Sequence, residues 1–361
     1  MRLSAFFQAF WAVATISTGL VVAAPRGQPH ASLNKRTTTY FCDSSATATL
    51  TYSIGEMIEM LTTAIDRTNS LQVFLADPPN HISGQGQLLQ STFYTFEAIF
   101  GQLEYGAGDG QNDAAIARVE QVLSIAKTMQ SSLRTIGSNE HMEIYCSDFW
   151  LVEEDPEGDI SLINPYLYWD NRDTRTGPRA MDFAVANGIC RDKASHYAWV
   201  DPYMSSSQTS SGQTTVMTLC QDYVSQWVSR HQSSDTMTAA SQQNYAANSV
   251  HINQFQGLTM STALMHEFTH APAIVGANYL IDEKCEIDGI KQSAYGWDCI
   301  RQLAATPSTA MNNADSFSFY ISAMYLSTSD WSTGFSNPIP QDTTPAYDDG
   351  LASMMSKLTI D

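Results

Sequence analysis

Apolar residues recur through the first third of the chain at the spacing of a helix face. Ile54, Met57, Ile58, Leu61 and Ile65 keep a three-four rhythm, as do Ile116, Val119, Val122, Leu123 and Ala126. Both stripes predict amphipathic helices that pack into a core. A further helix is predicted between them at 93–103. Asp113 stands where an N-cap or first-turn carboxylate favours the second stripe. Past Gly137 the rhythm changes. Met142-Glu143-Ile144-Tyr145-Cys146 alternates as a strand does. Residues 153–179, rich in Asp, Asn, Pro and Gly, read as a long surface excursion, and 205–215 as a Ser/Thr/Gln/Gly-rich loop. Met260, Leu264 and Phe268 return to four-residue spacing and predict a helix over 259–271, with Pro272 just beyond its end. Helices are predicted at 297–305 and after Asn313, the latter capped by Asp315 or Ser316. The tail after Ser327 reads as irregular. Helical segments followed by mixed strand and helix give an α+β chain.

The N-terminus adds an address. Arg2, an apolar run from Ala5 to Val22 and small residues at Ala23 and Ala24 make a secretory signal peptide over 1–24. Lys35-Arg36 follows as a dibasic processing site, so 25–36 reads as a short propeptide. The mature chain, 37–361, divides by texture into a helical lobe at 37–136 and a second lobe at 137–361. The first 36 residues carry four basic and no acidic side chains, which leaves 14 basic against 37 acidic in the remainder. That balance argues against nucleic acid or an anionic membrane as partner. A soluble, secreted, extracellular monomer is expected. Six cysteines, all in the mature part and none in a C-x-x-C pair, predict disulfides rather than a structural zinc site. Cys285 and Cys299 bracket a short segment and are expected to pair; the other expected pairs are Cys42–Cys146 and Cys190–Cys220. No N-glycosylation sequon occurs.

The chemistry lies in His266-Glu267-Phe268-Thr269-His270, which reads H-E-x-x-H. Side chains four apart on a helix share a face, so both imidazoles can grip one Zn²⁺ while Glu267 reaches a water as general base. A catalytic zinc wants a third protein ligand, and no histidine follows His270. The candidates are therefore the carboxylates Asp282, Glu283, Glu286, Asp288 and Asp298. Glu283 and Glu286 flank Cys285 in a loop-like stretch, which favours an aspartate. His196 and His231 stand alone, without metal-ligand spacing.

His266-Glu267-Phe268-Thr269-His270-Ala271-Pro272, then Ala294-Tyr295-Gly296, then Asn312-Asn313-Ala314-Asp315-Ser316, resembles the deuterolysin family of fungal zinc endopeptidases, the aspzincins. Their H-E-x-x-H precedes G-T-x-D-x-x-Y-G and a later N-A-D. The resemblance implies a zincin-like fold with an H-E-x-x-H active-site helix and a largely helical N-terminal part, Zn²⁺ as cofactor and protein or peptide substrates. It also implies His266, His270 and an aspartate as ligands, Glu267 as base, and Tyr295 near the scissile carbonyl. The aspartate does not transfer directly, because Gln292 stands three before Tyr295. Asp282, twelve residues after His270, fits the family's separation from the histidine; Asp288, seven before Tyr295, is the alternative. The extra residues between Asp282 and Tyr295 suit a hairpin turning at or near 287–290, and Asp288-Gly289 is a good turn pair. Asp298 and Asp315 are candidates to hydrogen-bond a ligand histidine. A competing reading is a secreted zinc-binding or host-interaction protein without catalysis. Relatives of that kind carry H-R-x-x-H, whereas Glu267 is present here.

Overall fold

Asp43 accepts the backbone N–H of Ala46 at 2.8 Å and so caps the N-terminus of a 33-residue helix, α1 (Ser44–Ala76). The computed structural model describes residues 39–77, 82, 85–106, 112–139, 141–152, 167–170, 178–180, 190, 197–203, 214–247 and 249–339. The signal peptide, the propeptide with Lys35-Arg36, His196 and the end of the tail lie outside the described residues. A three-residue strand, β1 (Thr39–Phe41), precedes α1. The helices α2 (Gln87–Phe100) and α3 (Asp113–Arg134) follow it. The predicted stripes are their buried faces: Ile54, Met57 and Leu61 in α1, and Val119, Val122 and Leu123 in α3. Asp113 sits in the first turn of α3 rather than at its cap.

The alternating segment forms β2 (Met142–Tyr145), and short strands β3 (Leu151–Val152), β4 (Leu167–Asp170) and β5 (Pro178–Ala180) make a separate antiparallel sheet. β6 (Ala198–Tyr203) and β7 (Thr214–Leu219) complete a four-stranded sheet in the order β1-β2-β7-β6. Its first two pairings are parallel and the β6–β7 pairing antiparallel. The predicted loop at 205–215 thus overran the strand by two residues. Disulfides Cys42–Cys146 and Cys190–Cys220 fix the sheet to its neighbours, and Cys285–Cys299 forms as expected.

Helices α4 (Gln221–Gln232) and α5 (Met237–Ser241) lead to α6 (Met260–Glu267), which carries the first half of the H-E-x-x-H motif. Thr259 caps α6 reciprocally with Thr262. All eight residues of α6 are buried, because α1 packs on one side and a late helix (Ala314–Tyr325) on another. The helix ends earlier than its apolar pattern suggested. Residues Phe268–His270 tighten into a 3₁₀ turn, and Pro272 opens a further short helix, α7 (Pro272–Val275), rather than merely following the motif. A hairpin, β8 (Lys284–Ile287) and β9 (Ile290–Ser293), then leads to α8 (Gly296–Leu303), α9 (Pro307–Asn312) and α10 (Ala314–Tyr325). Strands β10 (Ser329–Asp330) and β11 (Asn337–Pro338) close the described chain.

One cluster of buried apolar side chains runs from α1–α3 through α6 and α10, so the helical part and the motif helix share a core. Phe268 is fully buried in it, a contribution of about 1.5–3 kcal/mol. Arg67 in α1 crosses this core, donating to Thr92 Oγ1, to Met324 O and to Leu88 O. Glu56, also buried in α1, accepts from Thr238 and from Ser261 at the start of α6. The structure is mixed helix and sheet, compatible with α+β. No helix among the described residues is long and apolar enough to cross a membrane.

Candidate metal centre

The 3₁₀ turn at the end of α6 keeps His266 and His270 on one face. Their Nε2 atoms stand 3.2 Å apart. The proton on each ring is placed by the other nitrogen. Nδ1 of His270 faces the carbonyl of Leu280 at 2.9 Å; a carbonyl only accepts, so Nδ1 carries the hydrogen. Nδ1 of His266 faces Oδ1 of Asp315 at 2.8 Å. Both Nε2 atoms are thereby left to present lone pairs.

Asp282 brings the third atom. Its Oδ1 lies 3.4 Å from each Nε2 and, though sealed from solvent, has no hydrogen-bond partner. The segment carrying it is stitched on every side. Leu280 N bonds Thr269 O at 2.8 Å, Ile281 N bonds Asn312 O at 3.0 Å, Ala314 N bonds Ile281 O at 2.9 Å, and Glu283 N reaches Asn313 Oδ1 at 3.2 Å. The Asn312-Asn313 block therefore sets the backbone on which Asp282 sits.

Three electron-rich atoms crowded this closely repel unless a positive charge lies among them. A proton meets that need poorly, because 3.4 Å is too long for a good hydrogen bond. A cation meets it well: ligands about 2.05 Å from a tetrahedral zinc stand about 3.3 Å from one another, close to the 3.2 and 3.4 Å here. His266, His270 and Asp282 are the group of metal-capable side chains found among the described residues, and their donor set fits zinc. Titration reflects the same demand. Burial works against charge on His266, yet the Asp282 and Asp315 carboxylates beside it outweigh burial and hold its pKa well above the usual imidazole range. Burial works to raise the Asp282 carboxyl, yet the two histidines outweigh it and hold that pKa well below the carboxylate range.

Glu267 is buried next to His266, and burial pushes its carboxyl up. Its carboxylate accepts no hydrogen bond from any described residue, so its lone pairs remain available to a water or a substrate. Asp315 is fully buried at the start of α10. Its Oδ2 accepts from Gln256 Nε2 and from Gly296 N, both at 2.7 Å. Asn313 is the N-cap residue of α10, so Asp315 is a partner of His266 and not the cap. Ser316 also belongs to the helix.

The remaining sequence candidates fall elsewhere. Asp288 occupies the exposed tip of the β8–β9 hairpin with φ 53°, beside Gly289 at φ 79°. Positive φ at both central residues is the two-residue turn that Asp-Gly favours, and the hairpin carries Asp288 away from the histidines. Glu283 accepts from Asn312 Nδ2 at 2.8 Å; Glu286 and Asp298 are exposed. The ring of His231 lies against Tyr52 in another part of the molecule. Tyr295 is at the centre, but its phenol is engaged. It donates to Asp282 Oδ2 at 2.5 Å, and burial together with the Asp282 charge pushes its pKa up. Sequence reasoning missed Gln256, the stitching role of Asn313, and Tyr197, whose ring sits 6.4 Å from that of His266. No motif marks Gln256 or Tyr197, whereas Asn313 opens the N-A-D block, which does not reveal the stitching role.

A 66-residue stretch of the chain is 38% identical to a protein of Emericella nidulans named a neutral protease 2 homolog. The likeness covers 18% of this chain and 15% of that protein's length. No family profile and no solved structure matches the chain.

Proposed function

We propose that the chain is a secreted zinc-dependent endopeptidase of the deuterolysin type, with a zincin-like arrangement of the motif helix. The observation that carries this reading is the convergence of His266 Nε2, His270 Nε2 and Asp282 Oδ1 beside an unpartnered, buried Glu267 carboxylate. The partial likeness to a neutral protease homolog supports the protease reading. Three disulfides suit an extracellular protein, and release from residues 1–36 by a signal peptidase and then at Lys35-Arg36 completes the proposal.

His266, His270 and Asp282 would hold the zinc. When bound there, zinc supplies Lewis acidity, polarising a peptide carbonyl and making water easier to deprotonate. Glu267 takes a proton from the attacking water on its carboxylate and delivers it to the nitrogen of the leaving amine. Its raised pKa suits both halves of that transfer. Asp315 and the Leu280 carbonyl hold the two imidazoles in the tautomer that directs Nε2 inward. Tyr295 fixes the outer oxygen of Asp282, so that the inner one faces the histidines.

Metal analysis of the purified protein, paired with cleavage of unfolded casein, tests the reading. Zinc at about one per chain with cleavage in the wild type is expected. Glu267→Gln is expected to keep the metal and lose about 10²–10⁴-fold in rate. A zinc-loaded wild type that cuts no peptide from acidic to neutral pH overturns it and leaves a non-catalytic zinc-binding protein.

A further inference from the structure

Asp315 is fully buried behind His266, and no lysine or arginine among the described residues pairs with it. Its outer oxygen, Oδ2, is met instead by two neutral donors at 2.7 Å, the backbone N–H of Gly296 and the side-chain amide of Gln256. They come from different elements. Gly296 opens α8, whereas Gln256 ends a 3₁₀ turn, Ile252–Phe255, that precedes α6. That turn is anchored on all sides. Ile252 and Phe255 are buried in the core, and Ile252 N donates to Gly334 O at 2.9 Å. His251 Nδ1 accepts from Asn253 N at 3.2 Å and caps the turn. Asn253 Oδ1 accepts from Trp297 N at 2.9 Å, beside the glycine that shares Asp315. Gln256 N donates to Asn253 O at 3.2 Å, and Gly257 O accepts from Trp227 Nε1 at 3.0 Å. The backbone on either side of Gln256 is thus fixed, and its amide reaches Asp315 from a rigid base.

A carboxylate turns readily about its Cβ–Cγ bond, because that torsion is broad and roughly two-fold. A single donor on Oδ2 leaves this rotation open, and the rotation carries Oδ1 away from Nδ1 of His266. A second donor from another element closes it. We infer that Gln256 is a positioning residue for the metal centre: with Gly296 it holds Oδ2 of Asp315, which keeps Oδ1 on His266 and so sets the ring orientation and tautomer in which Nε2 meets the metal. The inference rests on the metal centre of the endopeptidase reading. The amide of Gln256 bonds Asp315 and no ligand side chain, so it acts through Asp315. Groups that orient a ligand histidine from behind set metal affinity as well as geometry. The half-buried place of Gln256 keeps that support on the inner wall of the molecule, between the 3₁₀ turn and α10.

The test uses the full chain with Gln256→Met, which keeps the side-chain length and removes the donor, and Gln256→Lys, which returns a donor. Gln254→Met, at an exposed position of the same turn, is the control. Far-UV circular dichroism reports the fold, competition with a chromophoric chelator the zinc affinity, and the visible bands of the cobalt-loaded chain the arrangement of ligands. Gln256→Met is expected to bind zinc about tenfold more weakly and to displace the cobalt bands, while Gln254→Met matches the wild type in both. Gln256→Lys should give cobalt bands closer to those of the wild type. Wild-type zinc affinity and wild-type bands in Gln256→Met overturn the inference. A weaker affinity with unaltered bands makes Gln256 a general support of the fold and also overturns it. Gln256→Lys bands displaced as far as those of Gln256→Met show that the donor is not what matters, with the same result. None of these readouts uses cleavage, so a zinc-loaded wild type that cuts no casein removes the endopeptidase reading alone. A wild type that takes up neither zinc nor cobalt overturns the metal centre and this inference together.

Discussion

Replacing Asp315 by asparagine exchanges one oxygen for an NH₂ group at the most constrained carboxylate of the site. Asp315 is fully buried and accepts three hydrogen bonds: one from His266 at 2.8 Å, one from Gln256 and one from Gly296, both at 2.7 Å. All three partners arrive as donors, so an amide must set its NH₂ against at least one of them. If the amide nitrogen faces His266, the ring keeps its hydrogen bond only by moving its proton to Nε2, which removes a lone pair from the metal centre. If it faces Gln256 and Gly296, the buried Gly296 N–H loses its acceptor and the backbone next to Tyr295 is freed. The first outcome corresponds to loss of the partner that orients a ligand histidine, about 10–100-fold in metal affinity, or about 1.4–2.7 kcal/mol. The second leaves a buried donor unpaired, at about 1–3 kcal/mol of stability. Asp315→Asn is therefore expected to bind zinc at least about tenfold more weakly, measured by competition with a chromophoric chelator, and to unfold at lower urea concentration without metal. Wild-type zinc affinity and an unchanged urea midpoint together would refute the assigned hydrogen-bond directions.

Asp282→Ala should lower zinc occupancy and Asp288→Ala should leave it unchanged, because only Asp282 reaches the two histidines; metal analysis of both purified variants decides it. Tyr320 is fully buried, and burial raises its phenol to about 12 although Thr68 and Arg67 pull it down. Above pH 10 the unfolded chain then gives up this proton before the folded chain does, so stability falls as pH rises from about 10 to about 12, by up to about 3 kcal/mol. Tyr320→Phe should flatten that alkaline decline in urea titrations, and an unaltered slope would count against it. Gly334 has φ 84°, and a Cβ there would stand 2.4 Å from Trp297 Nε1. Gly334→Ala should therefore cost about 2 kcal/mol or more, read as a lower Tm, while Gly289→Ala at the open hairpin tip, with φ 79° and nothing near its Cβ, should cost less.

The helical stripes were legible because burial on one face leaves a periodic trace, seen in Met57 and Leu61, whereas the motif helix, buried all round, was legible by its H-E-x-x-H spacing. Asp282 was legible by its distance along the chain from His270, and the hairpin by its Asp-Gly turn. The short helix α9 left little trace, since six residues opened by a proline offer no apolar period. The role of Asp315 was ambiguous because capping a helix and supporting a histidine ask for the same side chain. Asn313 taking the cap position settles the matter only in three dimensions. Tyr197 had no sequence signal at all. Its closeness to His266 comes from the sheet edge lying across α6, a contact between segments nearly seventy residues apart.

The roots of the β8–β9 hairpin have a consequence for how this site tolerates change. Ala294 N bonds Glu283 O at 2.7 Å, and Cys285 is tied to Cys299. The hydrogen bond clasps the two strands at the base, where Asp282 and Tyr295 face each other, and the disulfide ties β8 to α8, while Ile287, Asp288, Gly289 and Ile290 form the far end of the hairpin. Residues could be added to or removed from the tip in pairs without altering the gap between the aspartate and the tyrosine. The number of residues separating them is then a free variable, and the hydrogen bond across the clasp is the invariant. A pattern that counts positions along the chain would pass over such a site, and a pattern that asks which residues meet at the neck of a hairpin would find it.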